Sequence, residues 1–366
     1  MKIALVYDRV NKFGGAERVL LALHEIWPQA PLYTTVYNPT KAPWAKVFNV
    51  KTSFLQNIPF AKDHHEWFAW LTPLAFSKFN FDEFDIVISV TSAEAKHIKT
   101  GSQTLHICYC LTPTRYLWSH RKSYEREGIK GLFLKLLGPF LRQTDFKAIQ
   151  NIDHFIAIST AVSQRIKRYY HQDSRIIFPP VELSEPKTIL PIKTPKRFYL
   201  VVSRLVSYKR VDLAIKVCNK LQRNLIIVGS GEQEKRLRKL VGKTIYFVGN
   251  LTDDILAMYY KRCQAVLFAG YEDFGIVPVE AMSFGKPVIA FAKGGVLDTI
   301  ISNKTGILFK KQSVSSLEKA LLEFEKKDFS AQVCKAQAQK FSKTIFKNNF
   351  AKIVEELWRQ NQKSKS

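Results

Sequence analysis

Two acids and two cations stand in patterns that could do chemistry. Glu272 and Glu280 are separated by seven residues in "FAGYEDFGIVPVEAMSFGKPVIA", residues 268–290. Glu272 falls in the loop after an apolar, strand-like run, and Glu280 about a turn into the helical pattern that follows. Gly275 opens that helix. A helix start with a close-approach glycine turns free N–H groups towards an anion. Glu280 is placed to accept from a diol, as acids do on a nucleotide ribose, and Glu272 to face a sugar. Alone, the same pair fits an ordinary strand–helix junction. In "VVSRLVSYKRVD", residues 201–212, Arg204 and Lys209 leave an earlier strand and precede its helix. Two cations there would neutralise a diphosphate, Arg bidentately and Lys as a point charge. A solvated basic loop is the plain alternative. The coincidence with the glutamates on a neighbouring loop favours function.

The elements that must position these residues repeat one pattern. "KIALVY" near the N-terminus is a short apolar run that suits a buried parallel strand. A turn with Gly14 and Gly15 follows, then an amphipathic helix over 16–26. Further buried strands are expected at 32–36, 86–90, 105–109 and 155–158, with helices between several of them, as at 161–170. Pro179, Pro180, Pro186, Pro191 and Pro195 then crowd a stretch that reads as an extended linker. Beyond it the pattern restarts. Strands at 198–203, 225–228, 245–248, 265–268 and 287–291 alternate with helices at 210–220, 232–240, 253–261 and 276–284, and 313–360 reads as helical throughout. Such alternation implies βαβ units and parallel sheets. The expected fold class is α/β: two doubly wound Rossmann-like domains facing across a cleft. Ligands then sit at the carboxyl ends of the strands. The expected boundaries are 1–182, a linker at 183–197, a second domain at 198–342, and a C-terminal helix at 343–366 packing back towards the first domain.

Composition bounds the function classes. The chain has 366 residues, 46% of them hydrophobic and 24% charged, so a disordered or collagen-like chain is excluded. No apolar run reaches the roughly 18 residues of a membrane span, and no secretory leader is evident, so a cytoplasmic location is expected. The formal net charge of +25 asks for an anionic partner. Nucleic acid is disfavoured, because no zinc-finger spacing, RNP-like strand or Arg/Gly tract is present. Five cysteines, none in C-x-x-C, read as reduced core thiols. His64 and His65 are adjacent and cannot share a helix face as i,i+4 ligands would, so no metal site is expected.

Taken together, Arg204, Lys209 and the Glu272/Glu280 pair in "YEDFGIVPVEAMSFGKPV" resemble the retaining glycosyltransferases of family 4, which have the GT-B fold. "FGGAERV" (13–19), "YCLTPTRYLW" (109–118) and "ISTAVSQRI" (158–166) are similar to that family's landmarks, so the resemblance covers nearly the whole chain. It runs closest to the O-antigen and capsule mannosyltransferases that use GDP-mannose. The resemblance implies that Gly14 and Gly15 let a loop approach the donor diphosphate, and that Arg204 and Lys209 bind the phosphates. It implies that Glu272 faces the transferred sugar, that Asp273, Phe274, Gly275, Ile276 and Val277 contact sugar and phosphate, and that Glu280 holds the ribose. Gly229, Gly249, Asn250 and Leu251 would flank the nucleobase. No cofactor and no metal are implied. Leu111, Thr112, Arg115 and Tyr116 would lie on the acceptor or sugar side. Many relatives carry a histidine at Leu111, in "YCHTP"; His106 and His120 are the nearby candidates to compensate. A UDP-sugar-dependent transferase and a nucleotide-sugar epimerase of the same fold are the alternatives. The implied acceptor is a lipid-linked or growing surface polysaccharide.

Two stretches fit such an acceptor. Aromatic residues crowd 54–81, and "GIKGLFLKLLGPFLRQ" mixes Leu and Phe with Lys130, Lys135 and Arg142. Core packing with a solvated basic face is one reading. The other is an interfacial surface on an anionic membrane, at the inner face of the plasma membrane.

Overall fold

A computed structural model describes residues 1–68, 70–119, 121–125, 128–182 and 192–365. The chain divides into two compact units, residues 1–180 with 346–366, and residues 181–345. The proline-rich segment expected as a linker falls mostly in 183–191, outside the described residues.

The first unit is built on a seven-stranded parallel sheet of β1 (Ile3–Tyr7), β2 (Leu32–Thr34), β3 (Val50–Thr52), β4 (Ile86–Thr91), β5 (Leu105–Cys110), β6 (His154–Ala157) and β7 (Ser174–Ile176), in the order β3-β2-β1-β4-β5-β6-β7. Every residue of β1, β4 and β5 is buried, as mostly apolar central strands of a parallel sheet are, including the polar Ser89, Thr91 and His106. The two three-residue edge strands β3 and β7 escape a reading from apolar runs, because edge positions are half solvated. The C-terminal helix Lys343–Lys365 enters this unit at Phe346. It buries Phe346, Phe350, Val354 and Leu357, a stripe at helical spacing. Phe346 and Phe350 meet the ring of Tyr109 at 6.0 and 5.4 Å between centroids. Each buried phenylalanine contributes about 1.5–3 kcal/mol of burial.

The second unit carries six parallel strands: β8 (Tyr199–Val202), β9 (Leu225–Val228), β10 (Ile245–Gly249), β11 (Val266–Phe268), β12 (Val288–Phe291) and β13 (Gly306–Phe309), in the order β10-β9-β8-β11-β12-β13. The stretch expected as helical throughout 313–360 holds three helices, Val314–Phe324, Ala331–Gln339 and Lys343–Lys365, with breaks between them. Serines cause the interruption. Ser330 and Ser342 accept hydrogen bonds from Val333 N and Ile345 N, each at 3.4 Å, and so start new helices inside the stretch.

In each sheet the chain first builds outward from a central strand and then returns to that strand's other side. The strand order therefore reverses between β1 and β4, and between β8 and β11. The carboxyl ends of strands at such reversals form crevices where ligands bind. All five cysteines are free and buried. Among the described residues no helix is long and apolar enough to cross a membrane.

Candidate active site

The second unit's reversal brings the candidate donor residues together. Arg204 follows β8, and Lys209 ends a 3-10 turn, Ser207–Lys209, before the helix Val211–Leu221. Glu272 follows β11. Lys209 Nζ donates to Glu272 Oε1 and lies 5.3 Å from the centre of the Tyr208 ring. Arg204 Nη2 donates to the Tyr208 hydroxyl at 2.9 Å. Both cations and the acid thus share one patch between the ends of β8 and β11. Gly270 makes the close approach possible, since a Cβ there would stand 3.0 Å from the Lys209 Cα.

Backbone shape fixes the rest of this crevice. Glu272 O accepts from Gly295 N at 3.0 Å. A Cβ at Gly295 would stand 2.2 Å from the Phe274 Cα, so only glycine lets the loop after β12 lie against the loop after β11. Phe274 is buried beside the Phe341 ring, with centroids 5.7 Å apart, and Asp273 is buried next to it. Gly275 sits at φ +88 as the N-cap of the helix Ile276–Ser283, a conformation glycine adopts without strain. No side chain caps this helix and no acid stands in its first turn. Its N–H groups, beginning with those of Ile276 and Val277, leave the positive end of the helix dipole for an anion. Glu280 turns one oxygen to the Tyr260 hydroxyl at 3.0 Å, and Tyr260 stacks on Phe284. The structure therefore joins Glu272 to the cations, while Glu280 is tied to the neighbouring helix.

On the other side of β8, Gly229 sits at φ +123, where a Cβ would collide with Ser203 O at 2.0 Å. Its N–H donates to Gly249 O at 2.7 Å, which lines up the ends of β8, β9 and β10. Asn250 and Ser230 hydrogen-bond through their side chains, at 2.9 Å from Nδ2 to Oγ. Leu251 follows and is half-buried.

The first unit holds the remaining candidates. Gly14 is the extended N-cap of the helix Gly15–Ile26. The buried carboxylate of Glu17 lies against it, so a Cβ on Gly14 would stand 3.2 Å from Glu17 Oε2. Tyr7 donates to the other Glu17 oxygen at 2.6 Å. Leu111 continues β5, its N–H donating to Thr91 O at 2.8 Å. Thr112 accepts from Arg165 Nη1 at 2.8 Å. Arg115 is half-buried, and the Tyr116 hydroxyl donates to Glu94.

Sequence reasoning missed the polar cluster beneath these residues. Asp8, after β1, accepts from Thr91 Oγ1, Ser92 N and Ala95 N at 2.7–2.9 Å. Burial, and then the negative charge of Asp8, push the Glu94 carboxyl up to about 7. Lys96 and Asp145 form an ion pair at 2.8 Å with both side chains at or below 3% exposure. Asp145 also accepts from Thr114, Trp118 and Tyr170 at 2.8–3.1 Å. Its available signal was its isolation, as the one acid in a 21-residue helix with four basic residues. His106 does not stand in for the histidine that Leu111 replaces. It lies buried between Ser89 Oγ and Asn151 O, at 2.8 and 2.9 Å, and burial lowers its pKa to about 4. His120 lies outside the described residues. His64 stacks on Trp67.

Comparison with known proteins places this geometry. Residues 184–341 match the family model described as glycosyl transferases group 1. An uncharacterized glycosyltransferase of Methanocaldococcus jannaschii is 27% identical over 201 residues, which cover 54% of this chain and 56% of the relative. The chain thus spans little more than half the length of that relative. An alpha-1,3/1,6-mannosyltransferase of Candida glabrata is 31% identical over 124 residues, covering 33% of this chain and 26% of the relative. The crystal structure of Anabaena HepE in complex with UDP superposes with a TM-score of 0.71 at 18% identity, covering 97% of this chain and 100% of the other. With its two parallel-sheet Rossmann-like units the chain has the GT-B fold. Residues 184–341, the part of the chain that matches the group 1 model, carry Arg204, Lys209, Glu272 and the uncapped helix.

Proposed function

We propose that the protein is a retaining glycosyltransferase that moves mannose from GDP-mannose to a lipid-linked or growing surface-polysaccharide acceptor. The observation that carries the reading is the Lys209–Glu272 pair, set beside Arg204 and the uncapped helix Ile276–Ser283 at a strand-order reversal. In this scheme the diphosphate takes Arg204, Lys209 and the helix N-terminus, and Glu272 turns to the sugar. The bond from the anomeric carbon to the phosphate oxygen breaks through an oxocarbenium-like centre. Charge develops on the departing diphosphate, where the two cations and the helix dipole stabilise it. An acceptor hydroxyl attacks from the same face, forms the new bond at the anomeric carbon and passes its proton to the departing phosphate oxygen. The cations do the electrostatic work, so the proposal assigns no metal and no cofactor to the step.

The mannosyltransferase among the relatives supports mannose as the sugar. A second reading, a UDP-sugar donor on the same residues, is supported by the UDP held in the HepE neighbour. The experiment supplies GDP-mannose or UDP-glucose together with a lipid-linked acceptor extract and follows the anomeric proton of the product by NMR. Transfer from GDP-mannose with retained configuration supports the proposal. Transfer only from the UDP-sugar moves the donor to the second reading. An inverted product, or conversion of a UDP-sugar with no acceptor present, overturns it.

A further inference from the structure

The helix Gly128–Ala148 of the first unit is turned inside out. Gly131, Gly138 and Asp145, seven residues apart, are buried, and that spacing puts them on one face. Leu132, Leu136 and Phe140, four residues apart, are 58%, 73% and 65% exposed, and Leu137 joins them at 43%. A helix on a water-soluble fold buries its large apolar side chains. Among its described residues this one buries Gly131, Gly138, Asp145 and Ala148, and Leu134 and Leu141 are only half-buried. Monomers rarely leave such a contiguous apolar strip in water. Gly131, Gly138 and Pro139 also lower the helix's intrinsic stability, so its conformation depends on its surroundings.

Charge decides what covers the strip. The helix carries Lys130, Lys135, Arg142 and Lys147 against one acid, Asp145. Asp145 is neutralised internally by Lys96, so it offers no repulsion to an anionic partner. Lys135 and Lys147 are exposed beside the strip. An apolar stripe flanked by cations, on a helix too interrupted by Lys, Gly and Pro to span a bilayer, suits a helix lying in the headgroup region. The helix Thr72–Ser77 packs on the same 3-10 turn, Ala95–His97, that Gly128–Ala148 packs on. Leu74 in that helix and Trp70 just before it are exposed as well.

We propose that the outer face of Gly128–Ala148 is a docking surface for an anionic lipid bilayer, with Leu132, Leu136 and Phe140 in the acyl boundary and Lys135 and Lys147 on the headgroups. Docking there has a consequence for substrate entry. Through Asp145 the helix holds Thr114 and Trp118, in the loop after β5 that carries Leu111, Thr112, Arg115 and Tyr116. A substrate carried in the bilayer is then delivered to the carboxyl end of β5. The surface does not depend on which nucleotide the second unit takes, so its failure and that of the donor assignment are separately visible.

The test is flotation of the full chain with vesicles of phosphatidylcholine alone, or with about a third phosphatidylglycerol. We expect binding to the anionic vesicles, weakened at high salt. Lys135→Ala with Lys147→Ala should lower partitioning by about 25-fold, roughly fivefold for each charge near the surface. Leu136→Glu with Phe140→Glu should lower it by about 100-fold, roughly tenfold for each apolar side chain withdrawn. Removing two exposed lysines of the second unit, Lys319→Ala with Lys335→Ala, should leave it within about twofold. Calorimetric binding of nucleotide and the melting temperature show that each variant is folded. Equal loss in the Lys319/Lys335 control, no binding to anionic vesicles, or a dimer in solution that Leu136→Glu dissociates would each overturn the proposal.

Discussion

Replacing Glu272 by Gln should move nucleotide binding and turnover in opposite directions. Glu272 holds Lys209, with the two side chains 24% and 12% exposed. A diphosphate must break that pair before Lys209 can meet it. Exposed ion pairs contribute about 0.2–1 kcal/mol, and this one, mostly shielded, sits near the upper end. Releasing about 1 kcal/mol makes the nucleoside diphosphate bind about fivefold more tightly. Removing a negative charge beside the phosphates adds to the same sign. Turnover loses the carboxylate aimed at the sugar, and removal of one such preorganised group costs about 100- to 1000-fold. Calorimetry with GDP and UDP, with steady-state rates on the donor that binds, measures both. Weaker diphosphate binding in Glu272→Gln, or unchanged turnover, would refute the reasoning that Glu272 guards Lys209 and then serves the sugar.

Other changes separate the remaining roles. Arg204→Ala should weaken the binding of nucleoside diphosphate and reduce turnover about 100-fold or more, while circular dichroism stays unchanged, because Arg204 is exposed and its hydrogen bond is to Tyr208. Gly295→Ala forces the Phe274 backbone away from a Cβ 2.2 Å distant. It should cost about 1–3 kcal/mol in chemical unfolding and lower turnover through the displaced loop. Lys96→Met leaves Asp145 buried without its cation and should destabilise the first unit by about 3–5 kcal/mol, with Lys96→Met/Asp145→Asn recovering part of the loss. Buried His97 and His106 have pKa values lowered to about 4, while the unfolded chain protonates them near 6.5. Below about pH 6.5 the unfolded state therefore binds more protons, and the melting temperature should fall steadily down to about pH 4. His106→Gln should flatten that slope.

What could be read from the residues follows from where side chains are wholly buried. The runs of β1, β8 and β9 are apolar end to end, and β4 and β5 are mostly so, broken by Ser89, Thr91 and His106, so their positions and the α/β class were legible. The edge strands β3 and β7, with exposed positions, carry no such run. The long C-terminal helical reading ignored Ser330 and Ser342, whose capping hydrogen bonds divide it. At the site, Lys209 and Glu272 were legible as loop residues after their strands, and their direct pairing follows from the strand order, which no local pattern states. Glu94, Lys96 and Asp145 were not legible as a cluster. They come from two segments about fifty residues apart, 94–96 and the helix Gly128–Ala148, and the packing of that helix on Ala95–His97 joins them.

The central claim is that the second unit takes a nucleotide-sugar on Arg204, Lys209 and the helix Ile276–Ser283. Calorimetric titration of the full chain with GDP, UDP and ADP, each alone and as a common sugar conjugate, tests it most directly. The account predicts saturable one-to-one binding of GDP and GDP-mannose that Arg204→Ala weakens. Binding of none of the six, or binding that Arg204→Ala and Lys209→Ala both leave unchanged, would contradict it.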